Sequence, residues 1–209
     1  TSVENTGVVQ LGYYLTSGSF TPGLITDGLV ANSTSTTSSN DVFVGGDEGT
    51  NIIFAQSNTY TGSTTINNIA TLTLGASGVI PDTSNVILSG GTLETGSTTG
   101  YSETAGTLKL TENSTIDFGT GSHTLTFSAS NTETWTADKT LTITDWVSGT
   151  TTLKFGTGNT ALTKDQLSRF RFNGYGPGAV ITSTGEIIPA TGSITGSEGW
   201  RLLASPVSN

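Results

Sequence analysis

The chain has no cysteine and no methionine. Without thiols it can build neither a disulfide framework nor a thiolate metal site. The missing initiator methionine leads us to expect a mature chain, or a fragment, whose leader has been removed. No apolar run approaches the ~20 residues that a membrane-spanning helix requires. Charge is scarce, at 11% of residues, and so is hydrophobicity, at 33%. Ordinary globular domains run near about 25% and about 45–50%. Basic residues are the scarcer sign, seven against sixteen acidic, for a formal net charge of −9. That balance disfavours nucleic acid, whose phosphates call for Lys and Arg. It reads first as a solubilising surface and second as a site for cations.

Thr, Ser, Gly and Asn fill the composition instead. Disorder requires low hydrophobicity together with high charge. Here charge is low too, and Leu, Ile, Val and Phe fall at alternating positions. We therefore expect an ordered β structure with a thin core.

Helical periodicity is almost absent, while period-2 alternation recurs. It is seen in Thr71-Leu72-Thr73-Leu74, Thr107-Leu108-Lys109-Leu110 and Thr115-Ile116-Asp117-Phe118. It returns in Thr124-Leu125-Thr126-Phe127, Thr140-Leu141-Thr142-Ile143 and Thr152-Leu153-Lys154-Phe155. In each run the large apolar residue points one way and Thr, Lys or Asp the other. Gly-rich corners separate them, such as Gly75-Ala76-Ser77-Gly78 and Gly119-Thr120-Gly121. A sandwich of hairpins and a coil of parallel strands both fit this rhythm. Turn chemistry favours the coil. Two-residue hairpins want Asn-Gly or Asp-Gly, and Asn173-Gly174 and Asp27-Gly28 both lie outside the strand series.

Residues 1–40 differ from the rest. Val8, Val9, Leu11, Tyr13 and Leu15 are strand-like, and Thr34 to Asn40 reads as a polar loop. This segment is expected to cap the first coil or to pair with a neighbouring copy. Near the other end, Thr163 and Gln166 fit a capping box that opens a short helix. Leu162, Leu167 and Phe170 would give it an apolar stripe, and Asn173-Gly174 would end it.

The run Asn58-Thr59-Tyr60-Thr61-Gly62-Ser63-Thr64-Thr65-Ile66, then Ala70-Thr71-Leu72-Thr73-Leu74-Gly75, resembles the autotransporter-associated β-strand repeat. Ser89-Gly90-Gly91-Thr92-Leu93 resembles the repeat's continuation. Leu162 to Pro189 resembles the segment that closes such arrays. The tail Gly199-Trp200-Arg201-Leu202-Leu203 is similar to a boundary in large secreted surface proteins of Bacteroidota. Only one full copy of the first motif occurs, and no outer-membrane barrel sequence follows it. The resemblance implies a right-handed parallel β-helix displayed outside the cell.

Candidates for chemistry are few. His123 is the single histidine; adjacent Ser122 does not complete a triad with it, because neighbouring strand residues face opposite ways, and His123 reads as a surface residue. Asp117, Glu133 and Asp145 fall in or near strands and would serve glycoside cleavage only if stacking paired them. Asp47 and Glu48 in a Gly-rich turn are the weak candidates for a metal, though no EF-hand spacing surrounds them. Trp135 and Trp146 are the candidate ligand platform, with Tyr60, Tyr101 and Tyr175 weighed beside them. Core packing is the simpler reading for such large rings.

We therefore expect an all-β fold, a right-handed parallel β-helix (solenoid) with terminal caps and one short helix near residues 163–171. Residues 1–40 would be the cap or assembly segment, 41–190 the repeat domain, and 191–209 a linker or the start of a further region. The expected function is non-enzymatic. It is an extracellular structural role at a bacterial cell surface, as a stalk or adhesin or as a filament subunit. Two alternatives are a carbohydrate-binding module and a β-helix polysaccharide-degrading enzyme. Expected partners are the chain itself, further domains of a longer chain, or surface glycans, with no nucleic acid and no membrane span. No cofactor is expected, and calcium is the one ion weighed.

Overall fold

The computed structural model describes residues 9–15, 18–26, 40–67, 69–96, 98 and 100–190. The chain opens with β1 (Val9–Leu15), β2 (Gly18–Phe20), β3 (Asn40–Gly46), β4 (Thr50–Phe54), β5 (Thr64–Asn67) and β6 (Thr71–Leu74). It continues with β7 (Val86–Ser89), β8 (Thr92–Glu94), β9 (Ser102–Ala105), β10 (Leu108–Leu110), β11 (Ser114–Asp117) and β12 (Thr124–Phe127). Last come β13 (Leu141–Thr144), β14 (Thr152–Phe155), α1 (Lys164–Ser168), β15 (Phe170–Phe172), β16 (Ala179–Ile181) and β17 (Ile187–Pro189).

The fold is all-β, and nearly all of its strand pairing is parallel. The first sheet runs β1-β3-β5-β7-β10, the second β2-β4-β6-β8-β11-β13-β15, and the third β9-β12-β14. Within each sheet the strands lie in chain order, and the chain visits the sheets in turn. Among the strands of the described residues only β16 and β17 form an antiparallel ladder.

Alternation decides which side chains go inward. In the second sheet Ile52, Leu72, Leu93, Ile116, Ile143 and Phe172 are successive register partners. All are buried. In the first sheet Val44, Ile66, Leu88 and Leu110 form a matching column. Each buried Leu or Ile is worth roughly 1.5–3 kcal/mol, so a column of six supplies a large share of the stability. The columns also set register, because a one-residue slip would turn a whole strand inside out.

Polar clasps repeat the same spacing. Asp41 Oδ1 accepts from Ser63 N at 2.7 Å, Asn85 Oδ1 from Thr107 N at 2.9 Å, and Ser130 Oγ from Leu108 N at 2.9 Å. Each pair is 22 residues apart in sequence. The close approach of neighbouring layers restricts several corners to glycine. A side chain on Gly62 would collide with the Asn40 carbonyl, and one on Gly100 with the Ser122 carbonyl.

Irregular segments complete the sheets. Beyond β10, Trp135 Nε1 and Thr136 N donate to the Leu108 and Leu110 carbonyls. Before β9, Gly78 N donates to Ser102 O, and Asn58 N to Val79 O. The β16–β17 hairpin lies across the last strands, where Phe155 N donates to Gly185 O and Gly178 N to Phe170 O.

The capping box forms as expected: Gln166 N donates to Thr163 Oγ1, and Thr163 N to Gln166 Oε1. The expected helix extent is corrected. The helix ends at Ser168, and Phe170 and Phe172 belong to β15, where they alternate inward and pair with β13. Sheet pairing takes two aromatic residues that a helical stripe would leave half exposed. Asn173-Gly174 then turns the chain after β15 rather than ending α1. Asn40, assigned from sequence to the polar loop, opens β3 and is buried.

Leu72→Ala should cost about 2–5 kcal/mol, because both register neighbours hold their positions and a cavity remains. Urea unfolding measures it, and a loss below about 1 kcal/mol would contradict the buried column. Gly100→Ala should destabilise by about 1–3 kcal/mol through overpacking, whereas Gly158→Ala, with open space around its Cα, should not.

Candidate functional site

The outward faces carry the polar half of each strand. On the second sheet one outer column reads Thr71, Thr92, Thr115, Thr142, Arg171. The next reads Thr73, Glu94, Asp117, Thr144. On the third sheet Ser102, Thr124 and Thr152 align, as do Thr104, Thr126 and Lys154. The result is a grid of hydroxyl and methyl groups repeating at the strand spacing of about 4.8 Å. Stacking does bring Asp117 beside an acid, its register partner Glu94. Both carboxylates already have donors: Thr73 Oγ1 to Glu94 Oε2 at 2.7 Å, and Gly119 N to Asp117 Oδ1 at 2.9 Å. Glu133 and Asp145 do not join them. Glu133 Oε1 accepts from Thr107 Oγ1 at 2.7 Å, just before β10, and Asp145 is an exposed corner residue with φ of 55°.

The two tryptophans have different surroundings. Trp135 is 5% exposed, packed 5.8 Å from Phe170 and bonded through Nε1 to Leu108 O. That removes its face from solvent and from any sugar, which corrects its place in the ligand platform. Trp146 is half-buried, edge-on to Phe172 and Tyr175 at 5.4 and 5.7 Å. Its buried Nε1 has no hydrogen-bond partner among the described residues. Tyr175 stands 50% exposed beside it. Tyr60 is fully buried, its hydroxyl 2.6 Å from Thr64 Oγ1, and Tyr101 packs at the core's margin against His123.

Asp47 and Glu48 sit on the exposed turn between β3 and β4. No group of three or more metal-ligating side chains occurs among the described residues. Of the assembly candidates, Val8 lies outside the described residues. Val9, Leu11, Tyr13 and Leu15 fall within β1, whose backbone pairs with β3. The expected linker, 191–209, also lies outside them.

His123 is a correction. It is fully buried, not a surface residue, because it shares the inward phase of Leu125 and Phe127. Its Nδ1 accepts from Tyr101 N at 3.2 Å, and Nε2 has no partner among the described residues. Burial holds its pKa below the usual 6.5 and keeps the ring neutral.

Sequence reasoning missed Glu103. In β9, Ser102 and Thr104 face outward, which turns Glu103 inward beside Leu125. Its two carboxylate oxygens accept from Val79 N at 2.9 Å and Ile80 N at 3.0 Å. The carboxyl thus replaces a missing strand, holding the 75–80 corner against the edge of β9. Burial pushes its pKa up to about 7, against the pull of the backbone amides and with a further rise from Asp82. The phase of Ser-Glu-Thr-Ala was the available signal.

A carboxyl that titrates higher in the fold than in the unfolded chain binds its proton more tightly when folded. Its contribution is unpenalised below about 4.5 and becomes unfavourable as pH rises through about 7. Neutral His123 acts in the opposite direction, weakening the fold as pH falls below 6.5. The difference between wild type and Glu103→Gln isolates the carboxyl. Across pH 5 to 8, wild type should lose about 2–4 kcal/mol relative to the variant, at about 1.4 kcal/mol per pKa unit. Parallel stability curves in urea over that range would refute the assignment.

A groove of about 280 Å³ is lined by Asp138, Lys139, Thr140, Asp165, Ser168, Arg169 and Arg171. Lys139 pairs with Glu112 at 2.5 Å, and Arg169 with Asp165 at 2.7 Å. Arg169 also donates to the Thr136 carbonyl. Arg171 Nη1 donates only to carbonyls, those of Ser168 and Phe170, both at 2.7 Å.

No protein-family model matches the chain, and no curated protein or solved structure matches it.

Proposed function

We propose that the chain is a right-handed parallel β-helix serving as a non-enzymatic structural module of an extracellular surface, as a stalk element or filament subunit. The observation that carries this reading is the ordering of strands. Three parallel sheets, each stacked in chain order, are visited in turn by a chain whose clasps recur at 22 residues. A chain that coils about one axis produces that ordering, and parallel crossovers take the right hand. Stiffness then comes from ladders of backbone hydrogen bonds along the stack and from continuous inner columns. The outer Thr grid and the charge of −9 keep such a rod soluble without giving it a reactive centre. The likeness to autotransporter-associated repeats points the same way and supplies the surface location.

Pulling the chain by its ends in a force spectrometer tests the mechanical reading. A coil of 22 residues releases about 75 Å of contour at about 3.4 Å per residue. Extension should therefore proceed in multiples of that length. A single rupture releasing the whole chain would argue for an ordinary globular domain. Antibody labelling of intact cells of the source organism tests the location, and signal found only after lysis would defeat it.

A further inference from the structure

The chain contains a single Asn-Gly pair, Asn173-Gly174. It forms the corner that leads from β15 toward the β16–β17 hairpin. The backbone on either side is anchored. Asn173 N donates to Ile143 O at 2.9 Å, and Tyr175 N to Phe172 O at 3.1 Å. The reactive groups of the pair are not. Asn173 and Gly174 are both exposed. Neither the Asn173 side-chain amide nor Gly174 N makes a hydrogen bond among the described residues. Gly174 has φ of 83°, with open space around its Cα.

The other asparagines differ in ways that bear on their chemistry. The side-chain oxygens of Asn58, Asn85 and Asn113 accept from Ile25 N, Thr107 N and Thr140 N. Asn131 and Asn159 are exposed, but each precedes a threonine. A branched Cβ there crowds the backbone nitrogen that would have to react. Glycine imposes no such obstacle. It also allows φ of either sign, so the 173–174 peptide unit can rotate to carry its nitrogen toward the Asn173 side chain. No hydrogen bond of Gly174 N has to break for that rotation.

We infer that Asn173 is a site of spontaneous deamidation, and that the folded corner leaves it open to the reaction. Gly174 N forms a bond to Asn173 Cγ, and the Cγ–Nδ2 bond breaks. Ammonia leaves with the proton that the backbone nitrogen gives up, and a succinimide ring remains. Water then adds to one of the two ring carbonyls and opens its bond to nitrogen. The product is aspartate, or isoaspartate with the backbone running through Cβ and Cγ. Water is the only co-reactant, and no oxidant or reductant takes part. Each event adds one negative charge to the formal −9. Isoaspartate also lengthens the corner by one backbone atom, between the bonds made by Asn173 N and Tyr175 N. It therefore loosens the hairpin whose backbone meets Phe155 and Phe170. The site does not depend on the β-helix reading, and a failure of coil-sized steps in the pulling experiment would leave it standing.

Trypsin cutting after Arg171 and Arg201 releases residues 172–201, which hold Asn173 as their sole asparagine and no glutamine. Exchange of amide for acid in that peptide therefore reports on Asn173 alone. The folded chain is held in mildly alkaline buffer, sampled over days and mapped by mass spectrometry, and a methyltransferase that labels isoaspartate separates the two products. Asn173 should convert at least an order of magnitude faster than Asn131 or Asn159, and more slowly in mildly acidic buffer. Asn173→Gln, whose longer side chain closes the ring poorly, should leave the 172–201 peptide unchanged, and circular dichroism checks that it is folded. Asn173→Asp supplies the charge without the longer backbone and should keep the wild-type urea midpoint, whereas aged chain rich in isoaspartate should unfold at lower urea. An unmodified peptide in the folded chain, beside conversion in the urea-unfolded chain, would show that the corner protects Asn173 and would overturn the inference. Equal conversion at Asn131 and Asn159 would overturn it too. Aged chain with an unshifted midpoint would overturn the loosening of the hairpin.

Discussion

In-register parallel pairing is the constraint on which the rest of this molecule depends. A parallel strand takes its hydrogen bonds from neighbours on both sides, and those neighbours are distant in sequence. Each layer must therefore be nearly the same length as the next, or the inner columns fall out of phase. Asp41–Ser63, Asn85–Thr107 and Leu108–Ser130, all 22 residues apart, meet that condition. Asn113 reaches Thr140 across 27 residues by the same kind of bond. The longer layer bulges at its corner and leaves the register of β11 against β13 intact. Length variation is thus absorbed where glycine and polar residues turn the chain. Where no extra room exists, as at Gly62 and Gly100, only glycine is accommodated.

What could be read from the sequence follows from how local each signal is. Thr-Leu-Thr-Leu at 71–74 and Thr-Leu-Thr-Phe at 124–127 announce both strand and face, because alternation is contained within four residues. The capping box at Thr163 is equally local. The end of that helix is not, because whether Phe170 continues a helical stripe or starts a strand depends on β13 waiting beside it. Trp135 sits in a polar run, Glu133-Thr134-Trp135-Thr136, and is buried only because the edge of β10 needs a cover. Glu103 is passed over and His123 misread when residue type is weighed above phase. Each falls on the inward side of its own alternation, and the fold honours the phase.

Those inward polar groups are tolerated because each replaces backbone that the sheets lack. A buried carboxyl without partners costs several kcal/mol or takes up a proton. Glu103 satisfies two amides that would otherwise face an open edge, and its raised pKa is the residue of that compromise. Tyr60, Thr64 and Ser84 solve a similar problem with hydroxyls. They link in a buried chain of 2.6 and 2.9 Å contacts that ends on the Gly62 carbonyl at 2.8 Å. Both arrangements lie between neighbouring layers, where the sheet ladders give way to corners. A thin apolar core is sufficient when polar side chains take over hydrogen bonding at the corners.

A stack also changes what composition means. In a globule, residues distant in sequence are mixed in space, and a net charge acts as a property of the whole. When strands lie in chain order, each stretch of sequence keeps its own segment of the axis. Local composition then becomes axial pattern. On the proposed β-helix reading, the absence of Lys and Arg before residue 109 would make the early layers the more acidic ones. Exposed sheet edges invite indiscriminate stacking. The β16–β17 hairpin blocks such stacking at one end by laying antiparallel backbone across β14 and β15. Bridges from Lys154 to Glu186 and from Arg171 to Pro177 carry that backbone onto the last described strands, so their edge is met from within the chain.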